Sequence, residues 1–262
     1  MSLDRCPLRA GDGATLRIVT STGTGSGSGP TVAQNQVAQN QVAQNQVAQN
    51  QVAQNHDAVR DYVEGFLAED EVLSSARERG NDLGCVPIGP GGGAALRFLA
   101  CTLSARAVVE VGTGAGTSGL WLLRGMAPDG VLTSIDVEPE YQRVARTAFA
   151  EAGFPPARYR LIMGQALDVL PRLTERGYDM VFVDAPKPEY PRYLEAGVHL
   201  LRPGGIIAFD NVLSGGTVTD PAQRDPATTA LREVANTARD DTSLVPLLLP
   251  LGDGLLVALR TS

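Results

Sequence analysis

Two short segments of the sequence carry polar side chains that could bind a metal ion and move a proton. DAPK at 184–187 and DN at 210–211 each follow an apolar run typical of a buried strand. Two carboxylates and a carboxamide, with no Cys or His beside them, favour a hard cation such as Mg²⁺, Mn²⁺ or Ca²⁺. We therefore predict that Asp184, Asp210 and Asn211 bind a divalent cation, with Mg²⁺ favoured over the other two.

The first of these segments contains Lys187, the only lysine in a chain that has 22 basic residues. Arginine stays protonated at any working pH, whereas a lysine can lose its proton where a nearby dication lowers its pKa. We predict that Lys187 and Asp184 are the catalytic residues. The alternative is structural, because an aspartate that ends a strand often caps the next helix, Asp-Asn is a common turn, and a lysine can simply be solvated at a helix start.

A glycine-rich segment, EVGTGAGTSG at 110–119, predicts a strand-to-helix loop that approaches a ligand closely. From Gly114 it matches the dinucleotide pattern GxGxxG, and Asp136 ends the second predicted strand, where a ribose-binding acid belongs. Glu110 instead favours the cationic cofactor S-adenosylmethionine, because this acid would repel a pyrophosphate. When the dinucleotide pattern is counted from Gly112, its third glycine should stand at position 117, where this chain has Thr117. A tight turn without a ligand and, for Asp136, a helix cap are the structural alternatives.

These segments need a sheet that brings them to one edge. Apolar runs alternate with amphipathic stretches, which predicts parallel strands with helices on both faces. The carboxyl ends of such strands share an edge, so the glycine loop, Asp136 and the two polar segments meet there. The last two runs flank LGDG and predict an antiparallel hairpin. The predicted strands are 107–112, 131–137, 158–164, 179–185, 204–211, 243–250 and 254–260.

The composition excludes several classes of protein. The chain has 262 residues, 43% hydrophobic and 19% charged, which is typical of a globular protein. A net charge of −7 without a basic cluster cannot neutralise a nucleic-acid backbone. No apolar run is long enough to span a membrane, and acids and arginines stand where a signal peptide would need an apolar core. We expect a cytoplasmic protein with a small-molecule partner, whose N-terminal helices form a lid or a homodimer surface.

The N-terminal region differs from the rest of the chain. A segment rich in Gly, Ser and Thr precedes VAQNQ, which repeats from Val32 to Gln51 and is followed by VAQNH. A period of five residues advances roughly 140° per repeat on a helix, so the valines form no stripe that could pack against a core. We predict a disordered tail, with an exposed helix as the alternative for the repeats. The predicted domains are the tail at 1–56 and a globular domain at 57–262, with N-terminal helices at 57–105 and a sheet core at 106–262.

Together the motifs resemble the cation-dependent O-methyltransferase family, which contains catechol and caffeoyl-CoA O-methyltransferases. The resemblance covers about 58–262 and rests on VVEVGTGAGTSGLWLL, LTSIDVEPEY, MGQALDVLPRL, MVFVDAPKPEYPRYL and IAFDNVLSGG. It implies an α/β fold with a Rossmann-like, seven-stranded methyltransferase sheet, mostly parallel with an antiparallel last strand and helices on both faces. It also implies an enzyme that depends on S-adenosylmethionine and a divalent cation.

The resemblance implies roles for single residues as well. The glycine loop would contact the methionine part of the cofactor, the end of the second strand its ribose and adenine, and Ile88 would close over it. Asp184, Asp210 and Asn211 match the metal ligands of the family, and Lys187 matches its catalytic lysine. The implied cofactor-binding residues are Ile88, Glu110, Gly112, Thr113, Gly114, Ser118, Asp136, Val137, Ala166 and Asp184.

Two departures from the family concern the acceptor. Pro186 replaces a residue that would shape the acceptor side, and VLSGGTVTDPAQRD after Asn211 offers no aromatic wall. We predict metal-assisted methyl transfer from S-adenosylmethionine to a hydroxyl group of a small catechol-like or vicinal diol acceptor. Two alternatives stay open: an NAD-dependent oxidoreductase, and a catalytically inactive protein that binds S-adenosylmethionine.

Overall fold

The computed structural model describes residues 32–262, with only some of the side chains within 32–56. It divides into two units after Val52, and the second, Ala53–Ser262, contains the whole sheet. None of the described helices is both long and apolar enough to cross a lipid bilayer. The helices are α1 (Val32–Gly65), α2 (Glu71–Asp82), α3 (Pro90–Thr102), α4 (Thr117–Gly125), α5 (Pro139–Glu151), α6 (Ala166–Val169), α7 (Tyr190–Leu200) and α8 (Pro226–Asp240). The strands are β1 (Ala107–Val111), β2 (Val131–Asp136), β3 (Tyr159–Met163), β4 (Tyr178–Val183), β5 (Leu201–Phe209), β6 (Leu244–Leu249) and β7 (Leu255–Arg260).

The seven strands form one sheet in the order β3-β2-β1-β4-β5-β7-β6. Strands β1 to β5 run parallel, and β7 is antiparallel to both of its neighbours. The strand order reverses between β1 and β4, and loops that leave a sheet in opposite directions open a crevice at such a switch point. The structure confirms the predicted fold class, including the closing hairpin around LGDG.

Helices bury both faces of the sheet. Trp121 of α4 and Phe149 of α5 belong to the apolar cluster on one face. Tyr190 of α7 and Leu231 of α8 belong to the cluster on the other. Strands covered on both faces consist of nearly continuous apolar residues. A buried acid such as Glu110 in β1 is therefore an exception that calls for a functional explanation.

Helix α1 begins in the VAQNQ repeats and ends at Gly65. For the repeats, the structure shows a helix, in agreement with the high helix propensity of Ala and Gln. The disordered tail and its alternative, an exposed helix, stay predictions. The first of the N-terminal helices predicted within 57–105 is the end of α1, which stops at Gly65. Residues 1–31 of the predicted tail lie outside the described residues, and the domain boundary at 56 stays a prediction.

A close approach between two segments shapes the switch point. Gly112 follows β1 with a φ of +94°, which favours glycine. Its N–H donates to Ile135 O at 2.9 Å, and the N–H of Asp184 donates to Val111 O at 2.8 Å. A Cβ atom on Gly112 would overlap the carbonyl oxygen of Asp184. The glycine loop and the DAPK segment can therefore lie against each other because residue 112 has no side chain.

We expect Gly112→Ala to lower the free energy of unfolding by at least about 3 kcal/mol, because it adds backbone overlap to the strain of a positive φ. Gly153 is the matched control: its φ is +80°, and no atom lies within 4 Å of a Cβ built there. Gly153→Ala should cost only about 1–2 kcal/mol. Urea unfolding measures both values. Equal losses of unfolding free energy in the two variants would contradict the close contact between Gly112 and Asp184.

Candidate active site

A cavity of about 320 Å³ opens at the switch point, on the carboxyl edge of the sheet. Most of the predicted site residues line it, although they come from segments that are far apart in the chain. The structure thus brings the glycine loop, the end of β2 and the two polar segments together, as a parallel sheet requires. The predicted residues in the lining are Ile88, Gly112, Thr113, Gly114, Ser118, Asp136, Asp184, Lys187 and Asn211.

Four predicted residues are not part of this lining. Glu110 and Asp210 are buried, with exposed fractions of 0% and 4%, and Ala166 is buried at the start of α6. Val137 follows β2 and is 46% exposed. A contact of Val137 or Ala166 with adenine needs a ligand that extends beyond the cavity, past the end of β2, and it stays a prediction.

Glu110 is a carboxyl group inside the sheet, opposite Ser134 of β2. Ser118 and Ser134 donate their hydroxyl protons to its two oxygens, at 2.6 and 2.5 Å. Burial raises the pKa of Glu110 to about 7, and the two hydroxyl groups oppose this shift only in part. A cationic ligand at the adjacent glycine loop would favour the ionised form, which agrees with the charge argument made from the sequence.

Asp136 at the end of β2 binds the glycine loop directly. Its Oδ2 accepts the backbone N–H groups of Thr113 and Gly114 at 2.8 and 3.0 Å, and its Oδ1 accepts that of Glu138 at 3.0 Å. Glu138 is the N-cap residue of α5, so this bond closes a turn before the helix and does not cap one of its first N–H groups. The carboxylate therefore holds the shape of the loop while it also lines the cavity, where a ribose diol could reach it.

Lys187 Nζ joins the two polar segments. It donates to Asp184 Oδ1 at 3.1 Å, to Asn211 Oδ1 at 2.9 Å and to Tyr190 OH at 2.7 Å. Burial and the charge of Asp184 raise the pKa of neighbouring Asp210 to about 7. Burial also raises the pKa of Tyr190 well above its ordinary value, so the phenol stays protonated. Oxygens from both strand tips thus face one cation, the ammonium group of Lys187.

Besides Tyr141 of α5, sequence reasoning missed two parts of this site. Thr117 lines the cavity, and its buried hydroxyl has no hydrogen-bond partner among the described residues. The segment 85–88 before α3 lines the cavity over its whole length, although only Ile88 was predicted. Arg77 of α2 holds this segment by donating to the carbonyl oxygens of Pro87 and Ile88. A segment that is held through its backbone makes little demand on residue type, so it leaves no motif in the sequence.

The strand order, the single reversed strand and the glycine loop at the switch point define a protein of the seven-stranded methyltransferase class. A family model described as O-methyltransferase matches residues 67–261. A relative from Mycolicibacterium vanbaalenii, named among the O-methyltransferases, is 50% identical over 204 residues, which cover 78% of this chain and 90% of that protein. The chain therefore belongs to the O-methyltransferase family. This confirms the enzyme class that its motifs resemble and decides against the oxidoreductase alternative.

Solved structures are similar over the same part of the chain. A protein from Corynebacterium glutamicum has a TM-score of 0.75 and 32% identity, covering 79% of this chain and 98% of its own. The O-methyltransferase TomG from Streptomyces achromogenes, involved in tomaymycin synthesis and solved in complex with S-adenosylmethionine, has a TM-score of 0.71 and 34% identity. That match covers 78% of this chain and 96% of TomG.

The buried acid predicts a pH effect on stability. A raised pKa means that Glu110 stabilises the fold fully below its ordinary value of about 4.5, and that this contribution is lost as pH rises through about 7. Relative to Glu110→Gln, the cofactor-free wild type should lose up to about 3 kcal/mol of unfolding free energy between pH 4.5 and 8. Denaturant unfolding at several pH values measures the difference. Asp210 is present in both proteins, so its titration changes both unfolding free energies equally. If the two curves of unfolding free energy against pH run parallel, the raised pKa of Glu110 is contradicted.

Proposed function

We propose that the protein transfers a methyl group from S-adenosylmethionine to a hydroxyl group of a small catechol-like or vicinal diol acceptor, assisted by a divalent cation. One observation carries the proposal: the only lysine of the chain lies between the carboxylate and carboxamide oxygens of two strand tips, beside the glycine loop of a methyltransferase fold. The cytoplasmic location and the homodimer expected from the sequence stay predictions.

The cavity supports S-adenosylmethionine as the methyl donor. Glu110 places a carboxyl group behind the glycine loop, where the positive charges of the donor would compensate for its burial. The N–H groups of the first turn of α4, which have no partner within the helix, and the unpaired hydroxyl of Thr117 offer donors for the carboxylate of the methionine part. Asp136 lines the cavity at the end of β2, in reach of a ribose. We assign the predicted cofactor-binding residues to this ligand and add Thr117 to them.

A divalent cation fits the donor set at the strand tips. No three His, Cys, Asp or Glu side chains cluster around a point in the described part of the chain. Asp184, Asp210 and Asn211 nevertheless supply two carboxylates and a carboxamide, the hard oxygens that Mg²⁺ prefers. Burial raises the pKa of Asp210 first and the charge of Asp184 second, and a dication would offset both effects. When bound, such an ion would stabilise negative charge on an acceptor oxygen.

The residues of the chain divide the remaining work. A neutral Lys187 amine would take the proton that the acceptor hydroxyl loses, whereas a protonated one would balance the charge that remains on the oxygen. The glycine loop, held by Asp136, orients the donor so that its methyl group faces the acceptor oxygen in line. The segment 85–88 limits the access of water to the cavity. Because opposite charges cancel as the carbon–oxygen bond forms and the sulfur–carbon bond breaks, orientation and exclusion of water supply most of the acceleration.

The loop after Asn211 supports a small acceptor. It turns through Gly215 and Gly216, which both have a positive φ. Gly215 N–H donates to Asp253 Oδ1 at 2.6 Å, and Arg232 of α8 donates to four backbone carbonyl groups between 217 and 223. The loop is therefore held through its backbone and carries no aromatic side chain from 212 to 225. Chelation and shape, rather than stacking on this loop, would select the acceptor.

The unpaired hydroxyl of Thr117 tests the cofactor assignment. Thr117→Val keeps the shape of the side chain and removes a buried group without a partner, so the thermal stability of the free protein should stay equal or rise. The affinity for S-adenosylmethionine should fall about five- to tenfold, the factor that corresponds to one hydrogen bond. Calorimetric titration of both proteins measures this, with NAD as a control that should not bind. Unchanged affinity would remove Thr117 from the cofactor site.

Chelation tests the metal. Methylation of a panel of catechols should require Mg²⁺ and stop in EDTA, and Asp210→Asn should lower kcat about a hundredfold or more. Asp129→Asn is the matched control, because this aspartate precedes β2 at the opposite edge of the sheet and pairs with Arg106 on the surface. Turnover that is indifferent to EDTA would refute the metal. Retained S-adenosylmethionine binding without turnover on any diol would instead favour the inactive alternative.

A further inference from the structure

We propose that Tyr190 is a positioning residue that holds the amine of Lys187 between the two strand tips. The inference rests on the proposed function, because it matters for catalysis only if Lys187 handles the proton. Tyr190 begins α7, three residues after Lys187, and no motif argument assigns it a role. Three features support the proposed role of Tyr190: the direction of its hydrogen bonds, the burial of its ring and the number of partners of the Lys187 amine.

The hydroxyl group of Tyr190 has one proton, and a backbone group uses it. Tyr190 OH donates to Asp210 O at 2.9 Å. Its lone pairs therefore face Lys187 Nζ, which donates to it at 2.7 Å, the shortest of the three hydrogen bonds of this nitrogen. An ammonium group cannot accept a hydrogen bond, so the polarity of this chain of bonds is fixed while Lys187 is protonated.

The ring that carries this hydroxyl group is held by packing. Tyr190 is 0% exposed, and its ring lies 5.1 Å from that of Phe209 in β5, centroid to centroid. A lysine has four side-chain torsions and loses much entropy when it is ordered, whereas a buried ring has two, already held by its neighbours. The immobile hydroxyl of Tyr190 thus determines where the mobile amine of Lys187 lies.

The partners of the amine show why this matters for the proposed reaction. An ammonium group has three donors, and here they go to Asp184, Asn211 and Tyr190. The first two acceptors are oxygens that we assign to the divalent cation. If the cation takes those oxygens, Tyr190 is the one acceptor of the three that stays with Lys187. The hydroxyl group would then keep the amine at the acceptor oxygen instead of letting it move into solvent.

The single lysine makes a direct test possible. Protein labelled with ¹⁵N,¹³C-lysine gives one side-chain amine signal, which belongs to Lys187. With S-adenosylmethionine and Mg²⁺ present at one fixed pH, we expect Tyr190→Phe to speed exchange of the Nζ hydrogens with water about five- to tenfold, as the loss of one hydrogen bond would. The order parameter of the adjacent Cε should fall as well.

Tyr193→Phe is the matched control on the same helix. Tyr193 is 3% exposed and donates to Glu189 Oε2 at 2.7 Å, so the substitution also removes one buried hydroxyl group, but one that makes no hydrogen bond with Lys187 in the described structure. It should leave the lysine signal unchanged. Equal effects of the two variants, or none in Tyr190→Phe, would overturn the proposal. Loss of S-adenosylmethionine binding in Tyr190→Phe would also overturn it, because the hydroxyl group would then support the fold.

Kinetics with catechol as acceptor separates this inference from the proposed function. Tyr190→Phe should lower kcat about tenfold and leave KM for S-adenosylmethionine within about twofold, since only the amine is displaced. Lys187→Met should abolish turnover. If Lys187→Met retains turnover, the proposed function of the lysine fails, while the NMR result on Tyr190 is unaffected. If Lys187→Met is inactive but Tyr190→Phe has wild-type kcat and lysine exchange, the positioning role fails and the proposed function stands.

Discussion

The site depends on the approach of β1 to β4 at the switch point of the sheet. Parallel pairing alone brings the ends of these strands side by side, but it leaves room for side chains between the loops that follow. At Gly112 the two loops lie closer than a side chain would allow, because a Cβ atom built there would overlap the carbonyl oxygen of Asp184. The glycine loop and the DAPK segment therefore lie in direct contact, which joins the proposed donor side to the proposed proton-handling side. The residues of both segments take their positions from this contact or from the strands beside it.

Charge is the second constraint on the cavity. Two carboxyl groups, Glu110 and Asp210, are almost fully buried at its edge, and burial raises the pKa of each to about 7. Such groups are costly to ionise unless a cation comes close. In the described structure the ammonium group of Lys187 is the cation at the strand tips, and none stands at Glu110. A sulfonium donor at one end and a dication at the other would complete the charge balance of the cavity.

The walls of the cavity are held mainly through the backbone. Arg77 binds the carbonyl groups of the segment 85–88, Asp136 binds the N–H groups of the glycine loop, and Arg232 with Asp253 binds the loop after Asn211. Such bonds hold a loop in place without specifying its side chains. This explains how Pro186 and a run of small residues can occupy the proposed acceptor side while the fold and the charged groups of the site keep their arrangement.

The sequence by itself determined the order of strands and helices, the closing hairpin, the glycine loop and the set of oxygen donors. Periodicity and residue type act over short distances along the chain, so these features can be predicted from it. Tertiary structure decided that Asp136 binds the glycine loop, that Lys187 rather than solvent meets Asp184 and Asn211, and that the unpaired hydroxyl of Thr117 and the segment 85–88 belong to the cavity. These outcomes depend on burial and on distances between segments far apart in sequence, which the order of residues does not express locally.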